Sequence, residues 1–88
     1  MSKELVFEKK INDKFFAKYY LLKNDNIFGV QIELFDTDMN LKTCESVDKI
    51  TREHDLALKI LEQLVKNDVT PNSLLYVIDE IFDMVQNK

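Results

Sequence analysis

The sequence predicts an α+β fold: a four-stranded antiparallel β-meander followed by a C-terminal two-helix hairpin packed on one face of the sheet. Two observations carry the prediction. Apolar and aromatic residues alternate with a period of two through the first half of the chain, then recur every three or four residues in the second. The segments between these runs are short and rich in Asn and Asp, which suits hairpins and leaves no room for crossover connections.

The first strand is placed at about 4–11, where Leu5, Val6 and Phe7 precede the polar Glu8, Lys9 and Lys10. Asn12, Asp13 and Lys14 supply a turn. The second strand, 15–23, opens with FFAKYYLL, an aromatic and nearly continuous apolar run that at this length favours a central strand over a helix. Lys18 marks the parity that faces water, so Phe15, Ala17, Tyr19 and Leu21 point inward. After Asn24, Asp25 and Asn26, the third strand (27–35) alternates most clearly. Phe28, Val30, Ile32 and Leu34 lie on one side, with Gly29, Gln31 and Glu33 on the other. Gly29 marks a bulge or close approach by another group, or else a small gap beside an aromatic ring; the gap is the preferred reading. Asp36 to Asn40 make the third turn. The weaker fourth strand, 41–47, has an ambiguous parity, with Leu41, Thr43, Glu45 and Val47 on one face and Cys44 on the other.

The helices are placed at about 52–66 and 71–86. Thr51 is expected to cap the first, with Glu53 and Asp55 near its positive end and Ala57, Ile60, Leu61, Leu64 and Val65 along its apolar face. Thr70 is expected to cap the second. Pro71 then takes the first helical position, where a missing N–H costs nothing, and Val69 and Leu74 have the spacing of a hydrophobic staple. Leu74, Leu75, Ile78, Ile81, Phe82 and Val85 form the stripe of this helix, and Asn72, Asp79, Glu80 and Asp83 fall off it. The short link between the helices requires antiparallel packing.

Eighty-eight residues suit a single small domain, and 45% of them are hydrophobic, enough for a core. One Gly and one Pro argue against flexible linkers. The lone Cys44 excludes an internal disulfide and a multi-cysteine zinc site, and fits a reducing compartment. Charges stand where a signal peptide needs an apolar core, and no apolar run approaches the ~20 residues of a membrane span. A cytoplasmic location and no membrane contact are therefore expected. The net charge is −4, and residues 26–88 hold six basic residues against twelve acids, which argues against general nucleic-acid binding.

Several stretches carry a family resemblance: YYLLKND with IFGVQI, VDKIT before the first helix, and LVKNDVTP leading into SLLYVIDEIF. Over 15–82 the chain resembles a small bacterial family known only as a domain of unknown function. The inter-helix NDVTP is its most specific piece. The resemblance implies a single domain and brings no activity, ligand or catalytic residue.

Candidate chemistry is sparse. Asp36, Asp38 and Asn40 begin like a calcium loop, but the sixth and twelfth positions hold Leu41 and Val47 where Gly and Glu are needed, so a turn is expected. Cys44 and His54, each the sole residue of its type, lack an orienting partner for nucleophilic catalysis. Cys44 is read as a small apolar filler and His54 as a solvated first-turn residue. There is no phosphate loop, metal-spaced cluster or nucleophile elbow. No catalytic, cofactor or metal residue is expected, and the chain is not expected to be an enzyme.

What remains is surface. Helices on one side leave Phe16, Lys18, Tyr20, Ile27 and Phe35 on the other, with Gln31, as a candidate contact face. Asp79, Glu80 and Asp83 form a second candidate, suited to a basic partner. The expected function is a small acidic protein-interaction module, self-associating through the helix-free face or inhibiting a basic protein. The alternative is a small-molecule domain with a pocket between sheet and helices near Tyr19 or Tyr76.

Overall fold

The computed structural model describes residues 2–86. Four strands, β1 (Ser2–Lys10), β2 (Phe15–Asn24), β3 (Ile27–Asp36) and β4 (Leu41–Thr51), precede two helices, α1 (His54–Lys66) and α2 (Pro71–Gln86). The strands lie side by side in chain order, each antiparallel to the next. Both helices cover one face. Ala17, Tyr19 and Leu21 of β2 and Val30, Ile32 and Leu34 of β3 form one buried cluster with Ala57, Ile60, Leu61 and Leu64 of α1 and Leu74, Ile78 and Ile81 of α2. Each large side chain in this layer stabilises the fold by about 1.5–3 kcal/mol relative to exposure.

The hairpin chemistry follows the Asx residues. Asp25 adopts φ 57°, which lets β2 and β3 join through two residues and hold register from Asn24–Ile27 to Phe15–Asp36. At the next turn, Asp36 Oδ1 accepts the N–H groups of Asp38 and Asn40, each at 2.9 Å. Met39 takes φ 65° there, an unusual conformation for a residue that is neither Gly nor Asx.

The helix hairpin is fixed by its link. Asp68 N–H donates to Val65 O at 3.1 Å and Val69 N–H to Leu64 O at 3.0 Å, with Asp68 at φ 54°. That is a Schellman closure, and it drops Val69 into the core, where its carbonyl accepts the Tyr19 hydroxyl at 2.9 Å. Lys9 of β1 donates to Val65 O at 2.9 Å and pairs with Asp68, placing a cation at the negative end of α1.

Several expectations are corrected. β4 runs to Thr51 rather than ending at 47, so Thr51 closes a strand; the α1 cap position is Glu53, which makes no side-chain cap. The Thr51 hydroxyl still helps, accepting Glu53 N–H at 3.1 Å. Thr70 serves α2 through its carbonyl, which accepts Ser73 N–H at 3.1 Å and the Ser73 hydroxyl at 3.3 Å. Leu75 is 58% exposed and outside the buried stripe, because it stands at the margin, about 100° from Leu74.

Three strand irregularities explain the remaining differences. Val6 is an extra residue between the Leu5–Tyr20 and Phe7–Tyr19 pairs, so Val6 and Phe7 both reach the core while Leu5 faces out. A register shift between Leu34 and Phe35 sets Leu41 opposite Phe35, on the face away from Thr43, Glu45 and Val47. A third shift lies between Phe28 and Val30, where β4 bulges over Gly29. A Cβ on Gly29 would meet the carbonyl oxygens of Val47 and Asp48, the latter at 2.5 Å. Gly29 is therefore needed for a close backbone approach and does not mark a gap beside a ring.

Candidate interaction surfaces

The helix-free face is built by the second parity of each strand. Register brings Leu5 opposite Tyr20 at one end of the face and sets Phe16, Phe35 and Leu41 in a row at the other, with Lys18 opposite Glu33 between the two apolar clusters. Phe16 and Phe35 stack with centroids 5.4 Å apart and an interplanar angle of 19°. Lys3 Nζ lies 4.3 Å from the Tyr20 ring centroid and 3.3 Å from Glu33 Oε2. Lys18 Nζ lies 5.1 Å from the Phe35 centroid and 4.0 Å from Glu8 Oε1. Gln31 donates to Glu33 Oε2 at 3.3 Å.

Phe16, Lys18, Tyr20, Ile27 and Phe35 are consequently half-buried rather than fully wet. The Lys3 and Lys18 ammonium groups sit over the Tyr20 and Phe35 rings, and Phe16 is covered in part by its stack with Phe35. Leu22, the register partner of Gly29, is wholly buried despite its outward parity. Leu5 and Leu41, which the sequence did not single out, are the exposed apolar residues of this face.

Tyr19 and Tyr20 occupy opposite sides of β2. Burial raises the Tyr19 phenol to about 12, with the charge of Asp68 adding to it. The Tyr20 phenol is also raised to about 12, first by desolvation and then by Glu33. Tyr19 is enclosed and lines none of the described clefts, so of the two places expected for a pocket between sheet and helices only the one beside Tyr76 coincides with a described groove.

Asp79, Glu80 and Asp83 are exposed on the outer side of α2, a helix with no Lys or Arg in its sequence. Tyr76 is 85% exposed, about 200° around the helix from both Leu74 and Ile78. With Leu75 it lines an open groove of about 710 Å³ between the start of α2 and the edge strand β4.

Cys44 is exposed on β4, so the apolar-filler reading is corrected. Its thiol is pushed up, first by desolvation and then by Glu33, which makes it a poor nucleophile near neutral pH. His54 heads α1 with its ring 5.3 Å from Phe28, edge to face, and Nδ1 3.5 Å from Asp55 Oδ1. Cys44 pairs with Glu33 and His54 packs on Phe28, five residues or about 16 Å apart along β3 and on opposite faces. The two are not brought together. Asp36 spends its carboxylate on its own turn, and the N–H of Asn40 is the main reason its carboxyl lies below the usual range. No group of three or more His, Cys, Asp or Glu could hold a metal ion among the described residues. No helix among them is long and apolar enough to cross a membrane.

Fold and surface define a small α+β domain with a one-sided helical layer. The chain belongs to a family of unknown function (DUF6514), whose model matches residues 2–84. No curated protein and no solved structure matches it.

Proposed function

We propose that this chain is a non-enzymatic, cytoplasmic protein-interaction module that self-associates through its helix-free sheet face. The observation that supports the reading is a pair of apolar clusters, Leu5 with Tyr20 and Phe16 with Phe35 and Leu41, flanking the Lys18–Glu33 pair on a face that no helix covers. Charge favours a second copy as occupant. The face carries Lys3, Lys10 and Lys18 together with Glu8 and Glu33, so two such faces can pair opposite signs. The acids of α2 point away, keeping the like-charged surfaces of two protomers apart.

Size sets the expected strength. Four strands about 4.8 Å apart and about ten residues long present ~600 Å² per protomer. Twice that sits at the lower end for specific interfaces and suits a dissociation constant on the order of 10–100 µM. Sedimentation velocity across a concentration series tests this. The wild type should shift from monomer to dimer, and Phe16→Ser and Tyr20→Ser should stay monomeric at every concentration. A wild type that remains monomeric throughout contradicts the reading.

A further inference from the structure

We propose that β4 and α2 form a docking groove for an extended peptide segment bearing basic residues, which adds to the sheet as a fifth strand. The inference is independent of the dimer, since it uses the sheet's edge and none of the open-face rings. The meander leaves two edges, β1 and β4. β1 is protected: it bulges at Val6, carries Lys3, Lys9 and Lys10, and Lys9 is tied to the end of α1. β4 also carries two lysines, Lys42 and Lys49, and bulges beside Lys42 and opposite Gly29, but between the bulges 43–47 pair regularly with β3 and border the groove, whose walls include Thr43, Glu45, Pro71, Leu75 and Tyr76.

The chemistry of this groove specifies its occupant. An edge strand offers backbone N–H and C=O groups that another extended chain, about 4.8 Å away, can satisfy in register. Leu75 and Tyr76 supply apolar contact for the alternate side chains of such a strand. Glu45 is the one charged residue lining the groove, and Asp79 stands one helical turn beyond Leu75. A second copy of β4 would bring another acidic α2 alongside, and each chain carries −4. A basic segment is attracted where a second copy is repelled.

The test titrates ¹⁵N-labelled full chain with a capped heptapeptide alternating valine and lysine, and with its valine–glutamate counterpart. Shift changes and slowed amide exchange should be confined to 41–47, Leu75 and Tyr76, with the lysine peptide at least about tenfold tighter. N-methylation along one edge of the peptide should abolish binding, while the other edge tolerates it. Leu75→Ser and Tyr76→Ser, at exposed positions, should weaken binding about tenfold without lowering the melting temperature. Phe16→Ser should bind as the wild type does. The proposal is overturned by equal binding of the two peptides, by indifference to N-methylation on either edge, or by no saturation up to about 1 mM. It is also overturned if β4 amides respond to protein concentration alone, for a second copy then holds the edge.

Discussion

Tyr19 and Tyr20 are adjacent in sequence, yet one is locked into the interior and the other lies under a lysine on the open face. Tyr19 has no exposed surface and one fixed hydrogen bond, to Val69 O. Tyr20 keeps partial access to solvent and is roofed by Lys3. The contrast extends to whole faces. The inner face is held by close packing between sheet and helices, which tolerates little change of volume. The outer face is held by cross-strand pairs and long amphipathic side chains, which can move aside when a better cover arrives. A sheet with one helical layer thus separates a close-packed face from an adaptable one by parity alone.

The sharpest way to break this comparison is to truncate one residue on each face. Leu74→Ala, in the buried layer, should cost about 3–4 kcal/mol by urea unfolding, whereas Phe16→Ala, half-buried, should cost about 1 kcal/mol. Equal losses would erase the distinction. Gly29→Ala probes a place where the backbone of β4 lies over the outward side of β3. Its Cβ would strike the Val47 and Asp48 carbonyls, and the loss should be about 3 kcal/mol, at the upper end for overpacking.

Tyr19→Phe should cost about 1–2 kcal/mol at neutral pH, because the buried Val69 carbonyl loses its donor. The pH dependence sharpens the contrast. Both phenols are raised to about 12 in the folded chain, against about 10 when unfolded. The folded state therefore retains protons that the unfolded state releases, and stability falls as pH rises from about 10 to 12. Tyr19→Phe should make that fall shallower without abolishing it, since Tyr20 still titrates; an unchanged melting-temperature profile would contradict the burial of Tyr19. The smallest effect is expected at a turn outside both faces: Met39→Gly should stabilise by about 1 kcal/mol by relieving a positive φ.

The element order was legible because period and turn chemistry agree through β2 and β3 and again through both helices, with only β4 left weak between them. The inward parity of β2 and β3 was legible for the same reason. Three details were hidden because they depend on pairing between distant strands. The contact over Gly29 requires the bulge of β4, which alternation in β3 alone does not reveal. The outward turn of Leu41 follows from a register shift, and a single shift reverses parity. The lysine roofs over Tyr20 and Phe35 require Lys3 and Lys18 to meet rings on neighbouring strands. Tyr76 was within reach of sequence reasoning, since its helical angle from Leu74 and Ile78 puts it opposite the buried stripe.

The most direct measurement is a filtered NOE experiment on a mixture of ¹³C-labelled and unlabelled chains at high concentration. Contacts between chains should appear among Leu5, Phe16, Tyr20, Phe35 and Leu41, and nowhere along the outer side of α2. Their absence, or their appearance at Asp79, Glu80 and Asp83 instead, would contradict the assignment of recognition to the helix-free face.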